Sequence, residues 1–264
     1  MTGAGAPVVC CDLDGVVWRG ENAIPGAADG IARMRKAGLR LVFLTNNSSG
    51  RVADNVARLE AAGVETDPDD VASSAQAAAA LLARTAAAGS RVLTCAGPGV
   101  VEALTARGFT AVENGPADAV VVGWHREFDF ERLRRAADVV RAGVPFVATN
   151  LDPTYPGANG LLPGAGSIVA AVRTAGGRAP VVAGKPERPM AELVHERYGA
   201  PALMIGDRPS TDGAFATTLG CRFALVLSGI AGSAGEEPIP EPRPPFVAAD
   251  LGALAPQLVD ALAS

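Results

Sequence analysis

The chain has 264 residues, 48% of them hydrophobic and 5% aromatic, with a formal net charge of −5. That is enough apolar material for one large or two modest cores, and an acidic balance without a basic cluster speaks against a nucleic-acid surface. No run reaches the ~18 apolar residues of a membrane span, and residues 1–7 have neither the basic region nor the long apolar stretch of a signal peptide, so a cytoplasmic, non-membrane protein is expected. The four cysteines, Cys10, Cys11, Cys95 and Cys221, show no Cys-x-x-Cys spacing. They support neither a disulfide framework nor a zinc site, which points to a reducing compartment.

Strand and helix signals alternate along the chain. The apolar run 8–13 reads as a strand, 25–37 as a helix stopped by Gly38, and 40–45 as a second strand. A helix over 51–62 places Val52, Val56 and Leu59 on one face, and 69–88 reads as one long Ala-rich helix. Then follow a strand at 91–95, a helix at 99–107, strands near 109–112 and 119–122, a helix at 130–142 and a strand at 145–149. A Pro/Gly-rich stretch, 153–166, precedes a helix at 167–174 and a strand at 181–183. A helix at 189–198, a strand at 203–206, a helix at 211–219 and a strand at 223–227 come next, and a proline-rich connector leads to a short strand and a helix at 251–262. Such βα alternation predicts α/β architecture with a doubly wound parallel sheet.

The turns rich in chemistry fall early and late. Asp12-Leu13-Asp14-Gly15 leaves the first strand, Thr45-Asn46-Asn47-Ser48-Ser49 the second, Gly184-Lys185-Pro186-Glu187 follows a later one, and Gly206-Asp207 with Asp212 follows another. About 140 residues separate the two groups. The spacing predicts a core domain built from both ends of the chain, with a second domain inserted in the middle. Ligands of open α/β sheets bind at the carboxyl ends of strands, so these turns are expected to converge. Crowded carboxylates need a cation or a proton to hold them. Of 23 basic residues 21 are Arg, which makes Lys185, a compact point charge, conspicuous in its turn. Four acids, a lysine and a hydroxyl at four strand ends describe a magnesium and phosphate site.

Other chemistries fail on inspection. A calcium loop would need a third acid at Val16 and a glutamate at Ala23. A cysteine phosphatase needs Cys-x5-Arg, but the sixth positions after Cys10, Cys11 and Cys95 are Val16, Val17 and Val101. Gly97-Pro98-Gly99 lacks the Lys-Ser/Thr of a nucleotide P-loop, and His125 and His195 are too few for a histidine metal cage.

These motifs resemble the haloacid dehalogenase superfamily of phosphohydrolases, in its branch of nitrophenylphosphatase-like and phosphoglycolate or glycerol-phosphate phosphatases with a large α/β cap. The likeness runs through Cys11-Asp12-Leu13-Asp14-Gly15-Val16-Val17-Trp18-Arg19-Gly20, Leu44-Thr45-Asn46-Asn47-Ser48-Ser49, Gly184-Lys185-Pro186-Glu187 and Gly206-Asp207-Arg208-Pro209-Ser210-Thr211-Asp212. In the middle of the chain, Ala148-Thr149-Asn150-Leu151-Asp152-Pro153 and Leu162-Pro163-Gly164-Ala165-Gly166-Ser167 extend it.

The resemblance implies a Rossmann-like core of residues 1–76 and 182–264 with an inserted α/β cap of residues 77–181, and it implies Asp12 as the nucleophile that forms an aspartyl-phosphate and Asp14 as general acid and base. It implies Mg2+ on the Asp12 carboxylate, the Asp14 main-chain carbonyl and Asp207, with Asp212 acting from behind through water or on Lys185. Thr45, the Asn46 amide and Lys185 would hold the phosphoryl oxygens of a small phosphomonoester. Tyr155 falls where similar proteins reach the substrate from the cap, and a homodimer through the cap is implied as well. His125 stands where an acid is usual in this cap, and Gly213 where an apolar residue is usual. Two readings of another class compete: a phosphoacceptor regulator and a catalytically inactive phosphometabolite-binding protein of the same fold.

Overall fold

The computed structural model describes residues 5–157, 160–231 and 237–262. By internal contacts the chain divides into two compact units, one of Met1–Thr45, Asn55–Ala72 and Val194–Ser264, the other of Asn46–Asp54 and Ser73–Leu193.

Strand β1 (Val8–Asp12) is buried along its whole length. Cys10 and Cys11 face opposite sides of the sheet and both are fully covered, which a parallel sheet sandwiched by helices allows. A short antiparallel ribbon follows, β2 (Trp18–Arg19) with β3 (Asn22–Ala23), and then α1 (Ala27–Lys36), β4 (Arg40–Thr45) and α2 (Val52–Ala61).

The segment expected as one helix over 69–88 is three elements: a 3-10 turn Pro68–Asp70, strand β5 (Val71–Ser73) and α3 (Ser74–Leu82). The correction has a local cause. Asp67 caps the turn by accepting from the Asp69 amide at 2.8 Å. Ser73 and Gln76 then form a reciprocal capping box that starts the helix at Ser74.

The second unit has its own parallel sheet. Its elements are β6 (Arg91–Cys95), α4 (Pro98–Ala106), β7 (Thr110–Val112), β8 (Ala119–Val122), α5 (Phe130–Arg141) and β9 (Phe146–Ala148). The hairpin β10 (Thr154–Gly157) and β11 (Gly160–Pro163), helix α6 (Ala165–Gly176) and strand β12 (Val181–Val182) complete it. The strand order is β12-β9-β8-β6-β7, and Val122, Val140, Phe146 and Val172 belong to the core beside it. The hairpin lies inside the stretch 153–166 that has no strand signal in sequence, because Pro156 and Pro163 are tolerated only in an open-edged ribbon. Residues 46–54 belong to this unit for a visible reason: Ser74 Oγ and Asn150 Nδ2 both donate to the Asn46 carbonyl, and the Val52 amide donates to Glu102.

Helix α7 (Arg188–Tyr198) leads back to β13 (Leu203–Gly206), a π-turn at Pro209–Gly213, α8 (Ala214–Leu219), β14 (Arg222–Val226), β15 (Phe246–Ala248) and α9 (Leu251–Leu262). The sheet of this first unit runs β15-β14-β13-β1-β4-β5. Strand β1 is flanked by β13 and β4, both parallel to it, so the order reverses there and opens a crevice at the carboxyl ends. Among the described residues no helix is long and apolar enough to cross a membrane.

Candidate active site

The register delivers the acids to one level. Asp12 ends β1 opposite Leu44, so Thr45 lies one residue further along β4; Cys11 pairs with Ile205, Gly206 ends β13, and Asp207 follows it. Parallel strands that stop together place these side chains on the rim of the sheet. Asp12, Thr45, Asp207 and Asp212 are all buried.

Asp12, Asp207 and Asp212 each offer a carboxylate oxygen to a group whose members lie within 4.8 Å of one another. Three carboxylates so close, and away from solvent, repel unless a cation sits among them. An all-oxygen donor set of this kind fits a hard divalent ion such as Mg2+. The residues present therefore suit the metal that the sequence implies.

The first-unit loops hold these acids by their backbones. The Ile230 amide donates to Asp207 Oδ2 at 2.6 Å, and the Ala231 amide donates to the Asp207 carbonyl. Asp212 Oδ2 accepts from the Arg208 amide at 3.2 Å, a contact made by the π-turn itself. Ser228 Oγ donates to the Gly15 carbonyl at 2.7 Å, and Arg19 donates to the carbonyls of Ser228 and Gly229. Residues 228–231 are thus part of the site's frame. Sequence reading missed them, because Ser-Gly after a strand carries no more signal than an ordinary loop.

Asp14 turns its carboxylate another way. Its Oδ1 accepts from Trp18 Nε1 at 2.8 Å and faces the Arg58 guanidinium at 3.9 Å. Neither partner stands out in sequence, since Trp18 looks like core and Arg58 like a solvated helix residue.

In the second unit, Asn46 and Lys185 form a separate buried pair. Asn46 Oδ1 accepts from the Lys185 amide at 2.9 Å, while its Nδ2 donates to the Lys185 carbonyl at 3.0 Å and to Asp152 at 3.1 Å. The Asn46 side chain is therefore occupied in fixing the lysine loop. Lys185 is 3% exposed. Tyr155 lies in β10 by its backbone, and its side chain is outside the described residues.

Cys95 and Cys221 are poor nucleophiles. Burial pushes the Cys95 thiol up to about 11 and the Cys221 thiol up to about 11, away from the thiolate a covalent mechanism needs.

The haloacid dehalogenase-like hydrolase family model matches residues 9–110, and a HAD-hydrolase-like model matches residues 182–254. The chain is 40% identical over 249 residues to a D-glycerol 3-phosphate phosphatase of Mycobacterium tuberculosis, covering 92% of this chain and 69% of that protein. The structure of a glycerol phosphate phosphatase from Mycobacterium tuberculosis in complex with magnesium superposes with a TM-score of 0.86 at 38% identity, covering 94% of this chain and 76% of the other. A p-nitrophenyl phosphatase from Archaeoglobus fulgidus superposes with a TM-score of 0.87 at 27% identity, covering 97% of this chain and all of its own.

Proposed function

The chain belongs to the haloacid dehalogenase-like hydrolases, in the branch of the glycerol-phosphate and nitrophenyl phosphatases, and from that premise we propose that it hydrolyses a small phosphomonoester through an aspartyl-phosphate on Asp12. The observation that carries this reading is the buried group of Asp12, Asp207 and Asp212 at the rim of a parallel sheet.

The protein is a phosphatase, and Mg2+ is its cofactor. The Asp12 carboxylate, the Asp14 main-chain carbonyl and Asp207 would hold the ion, with Asp212 as their support, and a bound ion would supply charge to offset the phosphoryl oxygens. An Asp12 carboxylate oxygen attacks phosphorus, and the bond from phosphorus to the alcohol oxygen breaks. The Asp14 carboxyl gives its proton to that leaving oxygen. Water then attacks the aspartyl-phosphate and yields a proton to Asp14, and the bond between phosphorus and Asp12 breaks to release inorganic phosphate. Thr45, the Asn46 main-chain amide and Lys185 hold the phosphoryl oxygens.

Residues 77–181 act as the cap that excludes bulk water, with Tyr155 contacting the part of the substrate beyond the phosphate. A glycerol or other small polyol phosphate is the substrate class we favour, since a D-glycerol 3-phosphate phosphatase is 40% identical. Net charge of −5 argues against nucleic acid as a partner, and four cysteines without disulfide or zinc spacing suit the reducing cytoplasm. A homodimer through the cap remains part of this reading.

The test is phosphate release from a panel of small phosphomonoesters with Mg2+, with EDTA, and with Asp12→Asn. Metal-dependent turnover that the substitution abolishes is the expected result. A folded, magnesium-loaded protein that releases phosphate from no ester would instead be a regulator or a binding protein.

A further inference from the structure

Asp14 is held by two residues that no motif names. Trp18 is fully buried, and its indole N–H donates to Asp14 Oδ1 at 2.8 Å. The guanidinium of Arg58, from α2, stacks over the Trp18 ring with its carbon 4.0 Å from the ring centroid. One nitrogen of the same guanidinium lies 3.9 Å from Asp14 Oδ1, and another donates to the Gly20 carbonyl in the β2–β3 turn. Arg58 is thus fixed by a ring, a carbonyl and a carboxylate at once. A surface ion pair contributes little, but a stacked, hydrogen-bonded arginine is oriented rather than loosely paired.

The consequence concerns proton transfer. Oδ1 of Asp14 accepts from Trp18 and faces Arg58, so the orientation of the carboxyl is held by these two side chains. When the carboxyl's proton passes to the leaving oxygen, the negative charge left on Asp14 forms beside the guanidinium. An interaction that strengthens as the bond breaks favours the transition state over the ground state.

We propose that Arg58, seated on Trp18, is a positioning residue that aims the Asp14 carboxyl at the leaving-group oxygen. The proposal rests on the reading of Asp14 as proton donor, and it adds Arg58 and Trp18 to the machinery of phosphoryl transfer.

The experiment measures kcat/KM, which reports phosphoryl transfer alone when that step is the first irreversible one, for glycerol 3-phosphate and for p-nitrophenyl phosphate. An alkoxide leaves poorly without a proton, whereas p-nitrophenolate leaves without one. Arg58→Met keeps an unbranched chain over the indole, Arg58→Lys keeps a charge, Trp18→Phe keeps the ring, and Asp14→Asn removes the acid. With melting temperatures confirming folded protein, Arg58→Met should lower kcat/KM for the alkyl ester roughly tenfold or more and for the nitrophenyl ester under about threefold. Arg58→Lys should fall between wild type and Arg58→Met, and Trp18→Phe should show the same selectivity. Equal losses on both esters, or no loss, in Arg58→Met overturn the proposal while a selective loss in Asp14→Asn leaves the Asp14 reading standing. A non-selective loss in Asp14→Asn overturns both.

Discussion

Asp207 occupies the space where a β-carbon of residue 15 would stand: Gly15 adopts φ +87°, and a methyl group there would overlap the Asp207 carboxylate. Gly229 presses on the same carboxylate, so Asp207 lies in a slot between two glycines. The glycine after Asp14 therefore serves a residue nearly two hundred positions later in the chain. Its conformation lets the loop turn, and its missing side chain gives the metal-site acid its room.

Gly15→Ala should combine left-handed backbone strain of about 1 kcal/mol with displacement of Asp207. The expected outcome is Mg2+ affinity reduced about 10–100-fold, measured by calorimetric titration. Affinity equal to wild type would mean that Asp207 moves freely or does not hold the ion.

The crowding of Asp12, Asp207 and Asp212 predicts a stability that depends on the metal. In wild type, Mg2+ at a hundred times its Kd should add about 2.7 kcal/mol of stability. Asp212→Asn should shrink that gain. Thermal unfolding of both proteins with EDTA and with Mg2+ reads all four values, and an identical magnesium shift in the two would remove Asp212 from the metal's surroundings.

The strand-end acids were legible because they sit on short, apolar, strongly punctuated strands whose register in a parallel sheet is all but forced. Asp12, Thr45 and Asp207 needed only the rule that parallel strands end together. What stayed hidden was tertiary. That Asp14 turns to Trp18 and Arg58 follows from a stack between a buried ring and a helix forty residues on. Ser228 to Ala231 enter the site only through backbone amides and carbonyls, which any residue supplies. The Asn46 side chain clasps the Lys185 backbone rather than pointing at a ligand, a partnership that spans 139 positions. The long helix expected at 69–88 missed a local signal that was present: Ser73 and Gln76 spell a helix start, but the Ala-rich run that follows masked it.

Helices α1 and α9 meet at Gly30, where a β-carbon would lie 2.7 Å from the Leu251 carbonyl oxygen. Backbone cannot yield as a side-chain tip does. Gly30→Ala should therefore destabilise by about 1–3 kcal/mol, although alanine is the better helix former by about 1 kcal/mol. Urea denaturation monitored by circular dichroism checks the sign, and a stabilised variant would show that the helices slide apart without loss.

His125 gives the stability a pH dependence whose direction is fixed. Its Nδ1 accepts from the Glu127 amide at 3.0 Å, so the neutral ring is the one the loop binds. Burial first, and then the positive charge of Arg132, hold its pKa below the usual histidine value against the opposing pull of Glu127, Glu113 and Asp129. The folded chain then binds fewer protons at this site than the unfolded chain once pH drops toward the ordinary value of about 6.5. Stability from this residue is complete above that pH and is lost as pH falls through the folded pKa. His125→Gln cannot gain that charge, so its melting temperature should decline less than wild type's between about pH 7 and pH 5. A constant difference between the two proteins across that window would mean that His125 titrates alike in the folded and unfolded chain.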